Sequence, residues 1–154
     1  MSIQNSMKKR VISVLDTDNL GTAAKQFVKY HVGMLPVTTT DGRLVGVLKL
    51  HGLLMLILPS FTNLMEDFDF VGDFGAMELI QPSQEIISKK VSEVMEAPVF
   101  VDSSSGLSRA FSLLHHHNLT DLPVVDSNHH LIGIASRVDI GTAILKNWEL
   151  VSGD

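Results

Sequence analysis

Leu131-Ile132-Gly133-Ile134-Ala135-Ser136-Arg137-Val138-Asp139-Ile140 is the stretch whose reading decides the fold. It reads as an apolar strand that turns a polar corner into a helix. A hydroxyl (Ser136) and a carboxylate (Asp139) stand three residues apart at that corner, where side-chain oxygens satisfy the orphan amides of a first turn. A degraded copy occurs earlier, as Leu44-Val45-Gly46-Val47-Leu48-Lys49-Leu50-His51-Gly52-Leu53. The landmarks around both keep register without a gap: Leu20 and Leu107, Pro36 and Pro123, Gly46 and Gly133 each differ by 87 positions. Such self-similarity means two copies of one supersecondary unit, each too small to bury its own faces alone.

Working outward, the first unit opens with an apolar strand, Val11 to Leu15, followed by the capping cluster Asp16-Thr17-Asp18-Asn19. Leu20, Ala23, Ala24, Phe27 and Val28 then fall on one face of a helix. Met34 to Thr38 is a short strand whose Pro36 marks a strand start or an edge, and Asp41-Gly42 supplies the turn into its hairpin partner. Leu50 to Leu58 is a buried helix ended by Pro59. The second unit repeats this: strand Val99 to Val101, cap cluster Asp102 to Gly106, and helix face Leu107, Ala110, Phe111 and Leu114. Strand Leu122 to Val125, turn Asp126 to His129, strand Leu131 to Ala135 and helix Val138 to Trp148 complete it. The expected class is α/β (α+β): two β-α-β-β-α repeats, 9–58 and 91–148, packed sheet to sheet with pseudo-two-fold symmetry in one module. Residues 59–90 form an insertion, with a helical piece at Thr62 to Phe68 and enough apolar side chains to be ordered.

Composition narrows the function. At 154 residues and 45% hydrophobic, the chain can bury a core. A net charge of −5 argues against a partner that is a nucleic-acid backbone. The absence of cysteine excludes disulfides and thiolate metal sites. Its greasiest run, Leu53 to Leu58, falls far short of the ~20 apolar residues of a membrane span. With no secretion signal read at the N-terminus, a soluble cytoplasmic protein is expected.

The two Leu-Pro-Val strands, the Asp41-Gly42-Arg43-Leu44-Val45-Gly46 turn and the closing Gly133-Ile134-x-Ser136-x-x-Asp139 segment resemble a tandem pair of cystathionine-β-synthase-type (CBS) domains, or Bateman module. The resemblance covers both repeats and not the insertion. It implies a regulatory or sensory module rather than an enzyme, binding an adenosyl ligand (AMP, ADP, ATP or S-adenosylmethionine) in the cleft between repeats, with no cofactor required. Carried over residue by residue, Asp139 takes the ribose hydroxyls, Ser136 with Arg137 beside it takes phosphate, and the backbone at Ile134 lies along the adenine. The opposite wall comes from the first repeat, at Arg10, Ile12, Val32, Gly33 and Met34. General chemistry agrees, since a carboxylate accepting from two vicinal hydroxyls is charge-assisted and bidentate. The first repeat departs from the pattern, with Lys49 for the hydroxyl residue and Gly52 for the carboxylate. Its site, at Lys49, Val47, Ala97, Val99 and Thr120, is therefore degenerate, leaving one competent site per chain. Family likeness also points to a homodimer and to a regulated protein partner. The competing reading is a ligand-free protein–protein interaction scaffold.

Other signals carry less. His115-His116-His117 cannot converge on one ion, because consecutive helical residues point ~100° apart. His129 and His130 lie in a turn. Asp67-x-Asp69-x-Val71-Gly72 with Glu78 imitates a calcium loop, but Val71 cannot ligate and Pro82 spoils the exit helix. No metal is expected. No phosphate-loop, dinucleotide or hydrolase-elbow motif is present, and the Asn118-Leu119-Thr120 sequon carries no meaning at a helix end.

Overall fold

The computed structural model describes residues 1–57 and 81–148. Two three-stranded sheets form, each built from one repeat with the same order and sense. In the first, β1 (Val14–Leu15) pairs parallel with β2 (Met34–Thr38), which pairs antiparallel with β3 (Leu44–Lys49). In the second, β4 (Val101–Asp102), β5 (Asp121–Val125) and β6 (Leu131–Ser136) repeat the arrangement. Each hairpin carries an extra residue at the equivalent place, Val45 and Ile132, opposite the step from Val37 to Thr38 and from Val124 to Val125. The helices are α1 (Leu20–Tyr30), α2 (Leu50–Ile57), α3 (Gln84–Ser88), α4 (Val91–Val94), α5 (Leu107–His116) and α6 (Arg137–Leu145).

Local chemistry explains the starts and turns. Asn19 caps α1, its side-chain oxygen accepting from Thr22 N at 2.8 Å. Gly42 adopts φ +88° in the first hairpin turn, and His129 takes φ +66° at the same position of the second. The two tips meet: Leu44 N donates to His129 O at 3.1 Å and Leu131 N to Gly42 O at 2.9 Å. Leu20, Ala23, Phe27, Leu35, Val37, Leu48 and Leu53 build the first core; Leu107, Ala110, Leu114, Leu122, Val124, Ala135 and Ile140 build the second.

The cores are not made by the repeats alone. The chain's first residues cross to the second repeat. Ile3, at 0% exposure, lies in the second core, its N–H donating to Ser105 O at 2.8 Å. Lys8 is bridged to Ile134 by two backbone bonds of 2.8 and 3.0 Å. Residues 90–96 make the reciprocal crossing. Val91 is buried in the first core, and Glu96 is bridged to Val47 by bonds of 3.0 and 2.9 Å. Each crossing runs over a glycine, because a Cβ at Gly133 or Gly46 would collide with the Met7 or Met95 side chain beneath it.

Several expectations change. The opening strands are shorter than Val11–Leu15 and Val99–Val101, because β1 and β4 meet only two residues each of β2 and β5. Pro36 and Pro123 lie in central strands rather than at an edge. Their partners Val47 and Ile134 turn their N–H and C=O outward to the crossing segments, so each proline nitrogen faces β1 or β4 instead, and the parallel pairing there begins only at Val37 and Val124. Val28, placed on the buried face of α1, is 76% exposed, and Phe111 is exposed on α5. In the described part of α2 only Leu53 is buried; Leu54 and Met55 face out. The closing helix runs Arg137–Leu145 rather than Val138–Trp148. The helical piece at 62–68, the calcium-loop imitation at 67–78 and Pro59 lie outside the described residues.

Candidate functional site

At the second-repeat corner, β6 runs straight into α6 with Ser136 as the capping residue in extended conformation. Ser136 Oγ accepts from Asp139 N at 3.0 Å, and Asp139 Oδ2 accepts from Ser136 N at 2.9 Å. This reciprocal capping box fixes both side chains against the helix start. The ammonium of Lys8 stands 3.9 Å from the same Oδ2, and the Asp139 side chain keeps 20% exposure. Among the described residues, Oδ1 accepts no hydrogen bond, so one carboxylate oxygen is available to a donor from outside.

The first-repeat corner is built alike up to its last two choices. Leu50 N donates to Gly33 O at 2.9 Å, just as Arg137 N donates to Thr120 O at 3.0 Å. Lys49 replaces the capping serine, and its ammonium pairs with Glu96 Oε2 at 3.1 Å. Beside it opens a cleft of about 170 Å³, lined by Gly33, Met34, Lys49 and His51 from one repeat and by residues 118–121 from the other. Thr120 Oγ1 donates to Asp121 Oδ2 at 2.9 Å on that wall. Asp121 in turn pairs across the ladder with Ser136, and Met34 with Lys49. Lys49 of the first corner thus lines the cleft, whereas Ser136 and Asp139 of the second do not and reach its wall only through the ladder partner Asp121.

The expected residues divide accordingly. Lys49 and Thr120 share the cleft, and Gly33 and Met34 join them there rather than beside Asp139. The main chain of Ile134, expected along an adenine, is occupied by Lys8, as that of Val47 is by Glu96. Arg137 is turned away from the corner. Its guanidinium donates to Leu119 O, to Leu114 O at 3.4 Å and to Asn118 Oδ1 at 3.4 Å, holding the end of α5. Ile12 and Val32 pack against the first core, Val99 against the second, and Arg10 and Ala97 are exposed. Sequence reasoning missed His51, Asp121, Lys8 and Glu96. The 87-residue register could have found the first two, since His51 and Asp121 stand opposite Val138 and Met34 in the repeat. Lys8 and Glu96 carry no local signal.

His115 and His116 end α5 on the surface, and Asn118 after them adopts φ +52°, as its counterpart His31 does at +51°. Among the described residues, no group of three or more His, Asp or Glu side chains is arranged to hold a metal ion, and no helix is long and apolar enough to cross a membrane.

Comparison with known proteins places this architecture. An uncharacterized protein of Methanocaldococcus jannaschii is 30% identical over 156 residues, covering 94% of this chain and 92% of its own length. The chloroplastic CBS domain-containing protein CBSX2 of Arabidopsis thaliana is 31% identical, covering 86% of this chain but 58% of its own length. Homoserine O-acetyltransferase of Methanocorpusculum labreanum is matched over only 22% of its length. A crystal structure of CBSX2 superposes with a TM-score of 0.72 at 27% identity, over 94% of both chains. A second, of CBSX2 in complex with AMP, gives 0.69 at 26% identity, over 94% of this chain and 96% of that one. The family model for the CBS domain matches residues 2–59 and 91–146. Two matched repeats, built as two equivalent sheets, make this chain a member of the CBS-domain family, carrying its domains as a pair.

Proposed function

We propose that the chain is a regulatory module that binds an adenine nucleotide between its repeats and changes its affinity for a partner when it does so. The observation that carries this reading is the corner at Ser136 and Asp139. Its carboxylate is held by a capping box with one oxygen unspent, at the position where the family motif has its ribose acceptor. Support comes from CBSX2, a relative of similar fold that forms a complex with AMP. In this reading Asp139 accepts the ribose hydroxyls and Ser136 and the helix start face phosphate, with Lys8 released from Asp139. Arg137 contributes by fixing the neighbouring helix end rather than by touching ligand. S-adenosylmethionine, which shares the adenosyl group, is the alternative ligand. The functional units are residues 9–58 and 91–148, with 59–90 between them, and the module acts as a cytoplasmic homodimer without catalysis of its own.

A specific observation favours a second reading, that of a scaffold needing no ligand. Val28, Leu54, Met55 and Val138 expose apolar surface on the helices, which suits a protein partner whether or not the cleft is filled. Isothermal titration separates the two. AMP, ADP, ATP or S-adenosylmethionine should bind with one equivalent per chain, and Asp139→Ala should weaken binding at least about tenfold by removing a charge-assisted pair of bonds. Absence of binding by all four, or an Asp139→Ala protein that binds as tightly as the parent, leaves the scaffold.

A further inference from the structure

Each crossing segment brings a charge to the corner that it lies against. Lys8 is bridged to Ile134 and sets its ammonium near Asp139. Glu96 is bridged to Val47, the counterpart of Ile134, and sets its carboxylate against Lys49. The same place in the fold is thus used twice with the signs exchanged. An acidic corner has received a cation, and a basic corner an anion. Glu96 holds its place through its main chain, and its side chain is 54% exposed, so packing does not demand a carboxylate there. Lys49 faces the cleft. A carboxylate 3.1 Å from its ammonium competes with any anion that enters, both by occupying the lysine and by repelling like charge.

We propose that Glu96 is a built-in competitor that sets the anion affinity of the first-repeat cleft. A phosphate group entering beside Thr120 displaces the Glu96 carboxylate from Lys49 and takes its place. The exchange frees the side chain of a residue whose main chain holds the crossing segment to β3, so occupancy of the cleft is felt by residues 90–96. The degenerate site is then a guarded anion site rather than a dead one. This deepens the nucleotide reading and rests on it only for the identity of the natural ligand; the competition itself concerns phosphate.

Inorganic tripolyphosphate, titrated at low ionic strength, tests it without any adenosyl group. Glu96→Gln keeps size and the main-chain bridge while removing the charge, and should bind tripolyphosphate about five- to tenfold more tightly than the parent, the scale of a half-exposed ion pair lost plus a repulsion relieved. Lys49→Ala should bind weakly, and adding Glu96→Gln to it should restore nothing. Equal affinity of parent and Glu96→Gln, a gain that survives Lys49→Ala, or no binding in any variant overturns the proposal. Adenosine titrated into the same proteins reports separately on Asp139. Its failure to bind sinks the nucleotide reading while the tripolyphosphate comparison still decides the role of Glu96.

Discussion

Replacing Ile3 by Ala is the sharpest test of the crossed architecture. Ile3 is fully buried among Leu107, Ala110, Ala135 and Ile140, more than a hundred residues away in sequence. Truncation removes three carbons from a sealed site. At about 0.8 kcal/mol per buried methylene, plus the cavity left behind, the loss is about 2–4 kcal/mol. Against a total of roughly 5–15 kcal/mol this is a large fraction, and with a mid-range urea dependence of about 2 kcal/mol per molar it moves the unfolding midpoint down by about 1–2 M. Circular dichroism in urea measures the total. Amide exchange locates it, with faster exchange expected first in β4–β6 and α5. Gln4→Ala, at an exposed neighbour, should change stability by less than about 0.5 kcal/mol. A loss of similar size for both variants, or exchange that rises only in β1–β3, would refute the crossing.

Three further outcomes follow from the glycines and the cap clusters. Gly133→Ala should cost about 1–3 kcal/mol, because the new methyl meets the Met7 side chain and, at 3.1 Å, the Lys8 carbonyl. Gly141→Ala, in α6 with nothing within 4 Å, should instead stabilise by roughly 0.5–1 kcal/mol, and thermal melts of the two variants must move in opposite directions. Asp102 is held below the usual aspartate range by the Ser104 hydroxyl and by the Ser104 N–H. Its folded pKa is depressed, so the stabilisation is present above the ordinary aspartate pKa and is lost as pH falls through the folded one. Carbon-13 NMR should show its midpoint rising in Ser104→Ala; an unmoved midpoint would contradict this assignment.

What the sequence disclosed was whatever depends on neighbours. Asn19, the Asp41-Gly42 turn and the Leu-Pro strands are local signals, and their recurrence at 87 residues doubled their weight. Ser136 and Asp139 were legible for the same reason, being a capping pair three residues apart. The crossing segments were not legible, because Ile3 and Val91 carry no periodicity of their own. Only the fold gives Ile3 a site beneath α5 and α6 and Val91 one beneath α1. The prolines misled by a related route. A proline is excluded from a central strand only where the ladder needs its N–H, and here the outward turn of Val47 and Ile134 on one side and the late start of the parallel pairing on the other remove that need. Val28 misled because helical spacing locates a face without saying how wide the buried part of it is.

The crossings also change what the corner motif means. In each repeat the residue bridged to the crossing segment, Val47 or Ile134, stands two positions before the residue that opens the helix, Lys49 or Ser136. Strand alternation points those two side chains to the same face, so the crossing segment and the corner share one surface of the sheet edge. At Asp139 the capping bonds to Ser136 lock the carboxylate in place, and the 3.9 Å contact with Lys8 is the weaker and more exposed of its interactions. A donor that reaches Asp139 as proposed competes with Lys8 before it competes with the cap. The corner stays rigid while its counter-ion is exchanged. Under the proposed binding at Asp139, the displaced Lys8 is a residue held to Ile134 by its main chain, so the ligand would act on the segment that crosses to the second repeat. Repeats without the crossings could hold the same ligand, but binding at the corner would then have no such segment to act on.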